Sequence, residues 1–226
     1  MIVRVYPSLS AQDRDDAQYW RAQPMNERIL QVWKLSEAQW RLRGEFPDES
    51  GLPRSSLIRG LRPRTPFTLT RGGPFAPLRS RELGRCAPSL HAFTANNVRF
   101  LIVGAYALGV HGRPRATADL DVWVDATPEN AANVMLALEQ FGAPLGEVTV
   151  DDFSRPGIVF QMGLPPVRID VLTTLTGLTF SEAWPGRVRA AFGPITVDVI
   201  GREAFIRNKR ATGRARDLGD LEALGE

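Results

Sequence analysis

At 226 residues, with 43% hydrophobic and 23% charged side chains, the chain has the balance of a globular protein, which excludes a disordered or fibrous one. Its longest apolar stretch, Phe100 to Val110, is 11 residues, short of the roughly 20 a membrane helix needs, so no membrane partner is expected. Net charge is +3, and one cysteine (Cys86) with two histidines excludes an internal disulfide and leaves too few ligands for a structural zinc site.

The opening segment, MIVRVYPSLSAQDRDD, lacks the long apolar core and small-residue cleavage site of a secretory leader, so a cytoplasmic location is expected. Residues 10–44 read as a helical hairpin. Ser10 and Asp13 have capping-box spacing, Pro24 suits a helix start, and Ile29, Trp33 and Trp40 recur near helical spacing with Leu30 and Leu42 nearby. Residues 1–46 are therefore assigned to an N-terminal helical extension.

Residues 47–90 lose this periodicity. They carry seven prolines and the Gly72-Gly73 pair, and are assigned to a Pro/Gly/Arg-rich linker. Residues 50–100 hold nine arginines (Arg54, Arg59, Arg62, Arg64, Arg71, Arg79, Arg81, Arg85 and Arg99) against one acid, Glu82. Residues 101–226 hold 12 basic and 16 acidic side chains. A basic segment on an acidic body is either a nucleic-acid contact or a solvated linker. The first reading predicts salt-sensitive binding of nucleic acid without a nucleotide.

From residue 91 to 226 the pattern is mixed α/β. Val98–Val103 reads as a strand, Gly104 to about His111 as a short helix, and Asp119–Val124 as an alternating strand. Pro128 opens a helix to about Phe141, with Gly142 after its end. Strands follow near 157–162, 166–172 and 195–200, and helices near 202–211 and 215–224. His111 reads as a helix-end residue.

The chemistry concentrates in Asp119-Leu120-Asp121-Val122. Strand alternation puts Asp119 and Asp121 on one face and Leu120, Val122 and Val124 on the other. Like charges so placed repel, and a divalent cation is the usual compensation; exposed strand-edge acids are the plain alternative. Arg168-Ile169-Asp170-Val171 repeats the arrangement, so Asp170 joins the pair if the strands are neighbours. Three such carboxylates can hold two magnesium ions for in-line attack on a phosphate. Upstream, an apolar strand ends in Gly104 and turns directly into a helix, an arrangement that lets backbone approach a phosphate or simply makes the turn. Gly104 to Gly109 has the spacing of a P-loop start, but Val110-His111 stands where that motif needs Lys and Ser/Thr, and no GxGxxG is present.

Val103-Gly104-Ala105, thirteen residues, then Asp119-Leu120-Asp121-Val122 resembles the signature of nucleotidyltransferases related in fold to DNA polymerase β. The likeness extends to Gly112–Thr117, to Arg168-Ile169-Asp170-Val171, and to the closing stretches Ile206–Arg210 and Arg214–Leu221. The small bacterial members it resembles include minimal nucleotidyltransferases and AbiEii-type toxins. The resemblance implies a mixed sheet flanked by helices and transfer of a nucleotide from an NTP, with pyrophosphate released, to an RNA (such as tRNA) or protein acceptor. It implies Asp119, Asp121 and Asp170 as catalytic magnesium ligands, Gly104, Ala105, Thr117 and Lys209 at the nucleotide, and Lys209 and Asp217 as further catalytic residues. Ala105 departs from the family's Gly or Ser. The N-terminal helices faintly resemble small helical proteins that accompany such enzymes, which implies a partner fused to its enzyme; an ordinary helical extension covering an apolar face of the catalytic domain is the alternative. The toxin resemblance also implies an antitoxin partner. A catalytically silent binding or antitoxin-like module is the competing functional reading.

Overall fold

Residues 18–43, 56–59, 87–163 and 168–226 are described by a computed structural model of the chain. The Ser10–Asp13 capping signal and most of the arginine-rich stretch lie outside them. Helix α1 (Met25–Leu42) starts after Pro24, whose extended backbone serves as N-cap. Its buried face is Arg28, Ile29, Val32, Trp33 and Ser36, a helical repeat, whereas Leu42 is exposed.

That face packs on α3 (Gly104–Val110), seven residues long and buried from Ala105 to Val110. Gly109 permits the contact: a β-carbon there would lie 2.6 Å from Val32 Cγ2 and 3.4 Å from the Arg28 carbonyl. Ser36 Oγ donates to the Val32 carbonyl at 2.7 Å and accepts the Thr117 amide at 2.9 Å. Ile29, Val32 and Trp33 belong to the same hydrophobic core as the α/β body. The N-terminal helix is thus an integral wall of that body.

The described strands form one mixed sheet, order β1-β4-β5-β3-β2-β7-β6. They are β1 (Ser56–Arg59), β2 (Phe100–Ile102), β3 (Asp119–Val124), β4 (Val159–Met162), β5 (Arg168–Leu172), β6 (Val188–Phe192) and β7 (Ile195–Val199). Pairing is parallel for β3 with β5 and for β2 with β7, and antiparallel elsewhere. The other helices are α2 (Ala87–Ala95), α4 (Pro128–Phe141), α5 (Val150–Phe153), α6 (Phe180–Ala183), α7 (Arg202–Thr212) and α8 (Ala215–Leu224), with a 3-10 turn at Trp184–Gly186 and a further helical stretch at residues 18–22 ahead of α1.

Helix α4 matches its sequence signals. Thr127 caps it by accepting the Asn130 amide, Pro128 occupies the first turn, and Gly142 ends it in the left-handed conformation, φ 80°. Buried Asn130 also ties β2 to β3: it accepts the Arg99 amide at 2.7 Å and donates to the Arg99 and Asp125 carbonyls at 3.0 and 2.9 Å.

Three expectations are corrected. Within 47–90, Ser56–Arg59 is an edge strand on β4 and Ala87–Leu90 begins α2; the rest of that segment lies outside the described residues. Four residues are too few to show periodicity, which is why the strand was illegible. Strand β6 was not expected; it forms a hairpin with β7 through Gly193-Pro194, and only alternate residues, Ala190 and Phe192, are buried. The first α/β strand is shorter than Val98–Val103, spanning Phe100–Ile102. No helix among the described residues is long and apolar enough to cross a membrane.

If α1 is integral, truncating its buried face must weaken the whole molecule. Ile29→Ala, at a fully buried position, is expected to cost about 2–5 kcal/mol. Circular-dichroism melts should show one transition at lower temperature; an unchanged melt of the α/β body would mean that α1 docks without supporting it.

Candidate metal centre

The site is set by strand register. On β3 and β5, Asp119 lies opposite Arg168 and Asp121 opposite Asp170; on β4, Gln161 lies opposite Asp170. Side chains two apart share a face, so Asp119, Asp121, Arg168, Asp170 and Gln161 all emerge together. Behind them Leu120, Val122, Ile169 and Val171 are buried in the core. Sequence alternation fixes both faces at once: a slip of one residue would bury the charges.

Carboxylate oxygens of Asp119, Asp121 and Asp170 lie within 4.8 Å of one another. The expected convergence of the two strands is therefore found. Their surroundings differ. Asp170 is buried and receives a fork from Arg168 (Nε to Oδ1 2.7 Å, Nη2 to Oδ2 2.9 Å) and the Gln161 amide at 2.9 Å. Asp119 accepts from Thr117 Oγ1 at 2.8 Å and from Arg168 Nη2. Asp121 has no hydrogen bond or ion pair to its carboxylate among the described residues. Burial, then the charges of Asp119 and Asp170, push its carboxyl up to about 7 against the opposing pull of Lys209 and Arg168.

Gly104 opens α3 directly against this carboxylate. It has φ +62°, and a β-carbon on it would overlap Asp121 Oδ2. The Val103 amide donates to the Asp121 carbonyl at 3.1 Å, which fastens the turn to β3. The amides of Gly104 and Ala105 begin the helix and have no partner within it. Ala105 is itself buried, so its side chain packs inward. Thr117 is buried as well, and its hydroxyl is turned onto Asp119.

Lys209 and Asp217 form a neighbouring cluster. Lys209 on α7 is 5% exposed and reaches two aspartates of α8, Asp217 Oδ1 at 2.5 Å and Asp220 Oδ2 at 2.9 Å. Arg115, in the loop before β3, forks onto Asp220 at 2.6 and 2.8 Å, and Arg214 reaches Asp217 at 2.6 Å. Burial works to raise both carboxyls, but hydrogen bonds from Arg214 and Lys209 to Asp217, and from Arg115 and Lys209 to Asp220, hold them below the usual range. The cluster ties the last two helices to the loop that delivers Thr117 and Asp119. His111, at the end of α3, shares a 2.9 Å hydrogen bond with the Ile200 carbonyl, as a helix-end residue would.

Sequence reasoning gave no role to Arg168, Gln161, Ser36 or Arg115. For Arg168 a signal existed, since it stands two residues before Asp170 and so shares its face. The others become visible only through tertiary pairing. Comparison with known protein families and with curated proteins finds no match.

The donor set fits a hard divalent cation: three carboxylate oxygens in reach of one another, one of them unpartnered, beside a glycine whose missing side chain makes room for the Asp121 carboxylate. The raised Asp121 carboxyl gives a test in metal-free buffer. With an unfolded value near 3.9 and a folded one near 7, the unfolded chain releases this proton first, so the group withdraws stability as pH rises from about 4 to about 7. His111, lowered to about 4 mainly by burial, acts oppositely across about 6.5 to 4, so the comparison must be between variants. Asp121→Asn should melt above the parent at pH 8 and converge with it near pH 4. Identical melting at both pH values would show that Asp121 bears no unrelieved repulsion.

Proposed function

We propose that this chain is a magnesium-dependent nucleotidyltransferase with the polymerase β-like arrangement of sheet and acids. It would transfer a nucleotide from an NTP to an RNA or protein acceptor and act as the toxin of a toxin–antitoxin pair. The observation that carries this reading is the in-register meeting of Asp119, Asp121 and Asp170 in front of Gly104. A glycine-led turn and three acids on two adjacent strands are what the sequence resemblance leads one to expect.

In this reading Asp119, Asp121 and Asp170 hold magnesium. The bound cation supplies charge neutralisation at the phosphate and lowers the pKa of the attacking hydroxyl. The protein's own groups do the positioning. Thr117 fixes one oxygen of Asp119, and Gln161 with Arg168 fixes Asp170, so two of the three ligands are oriented before any ligand arrives. Gly104 and Ala105 offer backbone amides to a triphosphate, for which the side chain at position 105 is not needed. Lys209 acts at one remove: enclosed by Asp217 and Asp220, it braces the loop before β3 and lends Asp121 positive potential.

One observation favours a catalytically silent binding module instead. Arg168 already compensates two of the three acids. The two readings separate in one assay. The protein is incubated with each α-labelled NTP, Mg²⁺ and total RNA or lysate, and labelled species are sought. Transfer is expected with at least one nucleotide, and Asp121→Asn is expected to reduce it by orders of magnitude while keeping a normal circular-dichroism spectrum. Undiminished transfer by a folded Asp121→Asn would remove this residue from the site, and no labelling with any NTP would favour the silent module.

A further inference from the structure

We infer that Arg168 is a resident counter-cation of the aspartate centre, and that a divalent cation binds by taking Asp119 from it while Asp170 stays held. This rests on the metal-binding reading above and gives Arg168 a second role there, beyond orienting Asp170.

The geometry begins with two strands carrying four charged residues on one face: Asp119 and Asp121 on β3, Arg168 and Asp170 on β5. Their formal sum is three negative charges and one positive, a net of −2. Arg168 is bound unequally to its neighbours. It grips Asp170 through two separate nitrogens, Nε and Nη2, in a fork, and touches Asp119 only through Nη2, which it also uses on Asp170. Asp170 is additionally held by Gln161. The Asp170 fork is the stronger, directional contact, and the Asp119 contact is a single shared one.

A cation entering between the three acids finds the Asp121 carboxylate without a hydrogen-bond partner among the described residues. At Asp119 it then competes with the Arg168 guanidinium, which holds Oδ2, while Thr117 donates to Oδ1. Two positive groups so close repel, so the arginine lowers cation affinity while keeping the metal-free centre intact. The net of −2 also means that one divalent ion neutralises the square. A second ion would have to be carried by phosphate oxygens of a nucleotide, not by the protein alone.

The test is Mn²⁺ titration of the full chain, read by electron paramagnetic resonance of the free ion and by calorimetry, without nucleotide. The parent is expected to bind one Mn²⁺. Arg168→Gln should bind Mn²⁺ roughly tenfold more tightly or better, since a competing charge at contact distance is gone. It should also melt lower without metal and show a larger rise in melting temperature when saturated. Arg168→Lys, which retains the charge on a smaller perturbation of the strand, should bind close to the parent and serves if the glutamine variant folds poorly. Equal or weaker binding by Arg168→Gln, or tightening by Arg168→Lys to the same degree, overturns the inference and leaves the metal centre standing. Absence of Mn²⁺ binding by the parent and both variants overturns the metal reading and this inference with it.

Discussion

Everything at the candidate site depends on the parallel pairing of β3 with β5 in one register. Asp121 opposite Asp170 brings like charges together, and no local feature of either strand would choose that. The choice is made on the opposite face, where Leu120, Val122, Ile169 and Val171 are withdrawn from water. Each fully buried aliphatic contributes about 1.5–3 kcal/mol relative to exposure, so four of them outweigh repulsion between partly solvated carboxylates. Apolar burial therefore imposes the charge crowding, which leaves unbalanced negative charge on the opposite face.

The protein tempers that crowding unequally. Asp170 and Asp119 are satisfied by Arg168, Gln161 and Thr117, while Asp121 is left to the general field of Lys209 and Arg168. A structural salt-bridge network would be expected to distribute its partners so that no member is left over, because an unsatisfied buried charge is costly. The cluster around Lys209 meets that standard, with every carboxylate oxygen of Asp217 and Asp220 occupied. At the aspartate centre the half-buried Asp121 carboxylate has no such partner among the described residues. That contrast between two charged clusters in one chain is what supports the proposal of a ligand at one and a bracing role at the other.

How much of this was legible beforehand follows from where each signal resides. Alternation in Asp119–Val124 and Arg168–Leu172 is a local property, and so are the proline and glycine that bound α4; these were read correctly to the residue or nearly so. Gly104 was readable as a strand-to-helix turn, but its deeper reason, the Asp121 carboxylate lying where a β-carbon would stand, is tertiary. Ser36 is the clearest illegible case. A serine within a helix normally faces solvent or bonds the carbonyl one turn back, as Ser36 does to Val32, and nothing in the sequence says that it will also accept the Thr117 amide 81 residues away. Strands Ser56–Arg59 and Val188–Phe192 were missed because one is too short for a period and the other buries only alternate small or aromatic residues.

Lys209 shows why residue chemistry and position must be read together. The chain holds 28 lysines and arginines, of which only Lys34 and Lys209 are lysines, so an arginine at 209 would be the default. The pocket there has two aspartates whose outer oxygens are already taken by planar forks, Arg115 on Asp220 and Arg214 on Asp217. What remains is a narrow gap between the two carboxylates, reached at 2.5 and 2.9 Å, with the Phe205 ring 5.4 Å from the ammonium. A third guanidinium would bring five donors into a space with too few free acceptors, whereas an ammonium is compact and needs only three. The lysine is thus demanded by the geometry around it, and its buried charge, shared between two acids, is fixed close enough to the aspartate centre to pull the Asp121 carboxyl downward. The resemblance puts Lys209 at the nucleotide; the structure shows it enclosed by Asp217 and Asp220 and acting on the Asp121 carboxyl through its charge.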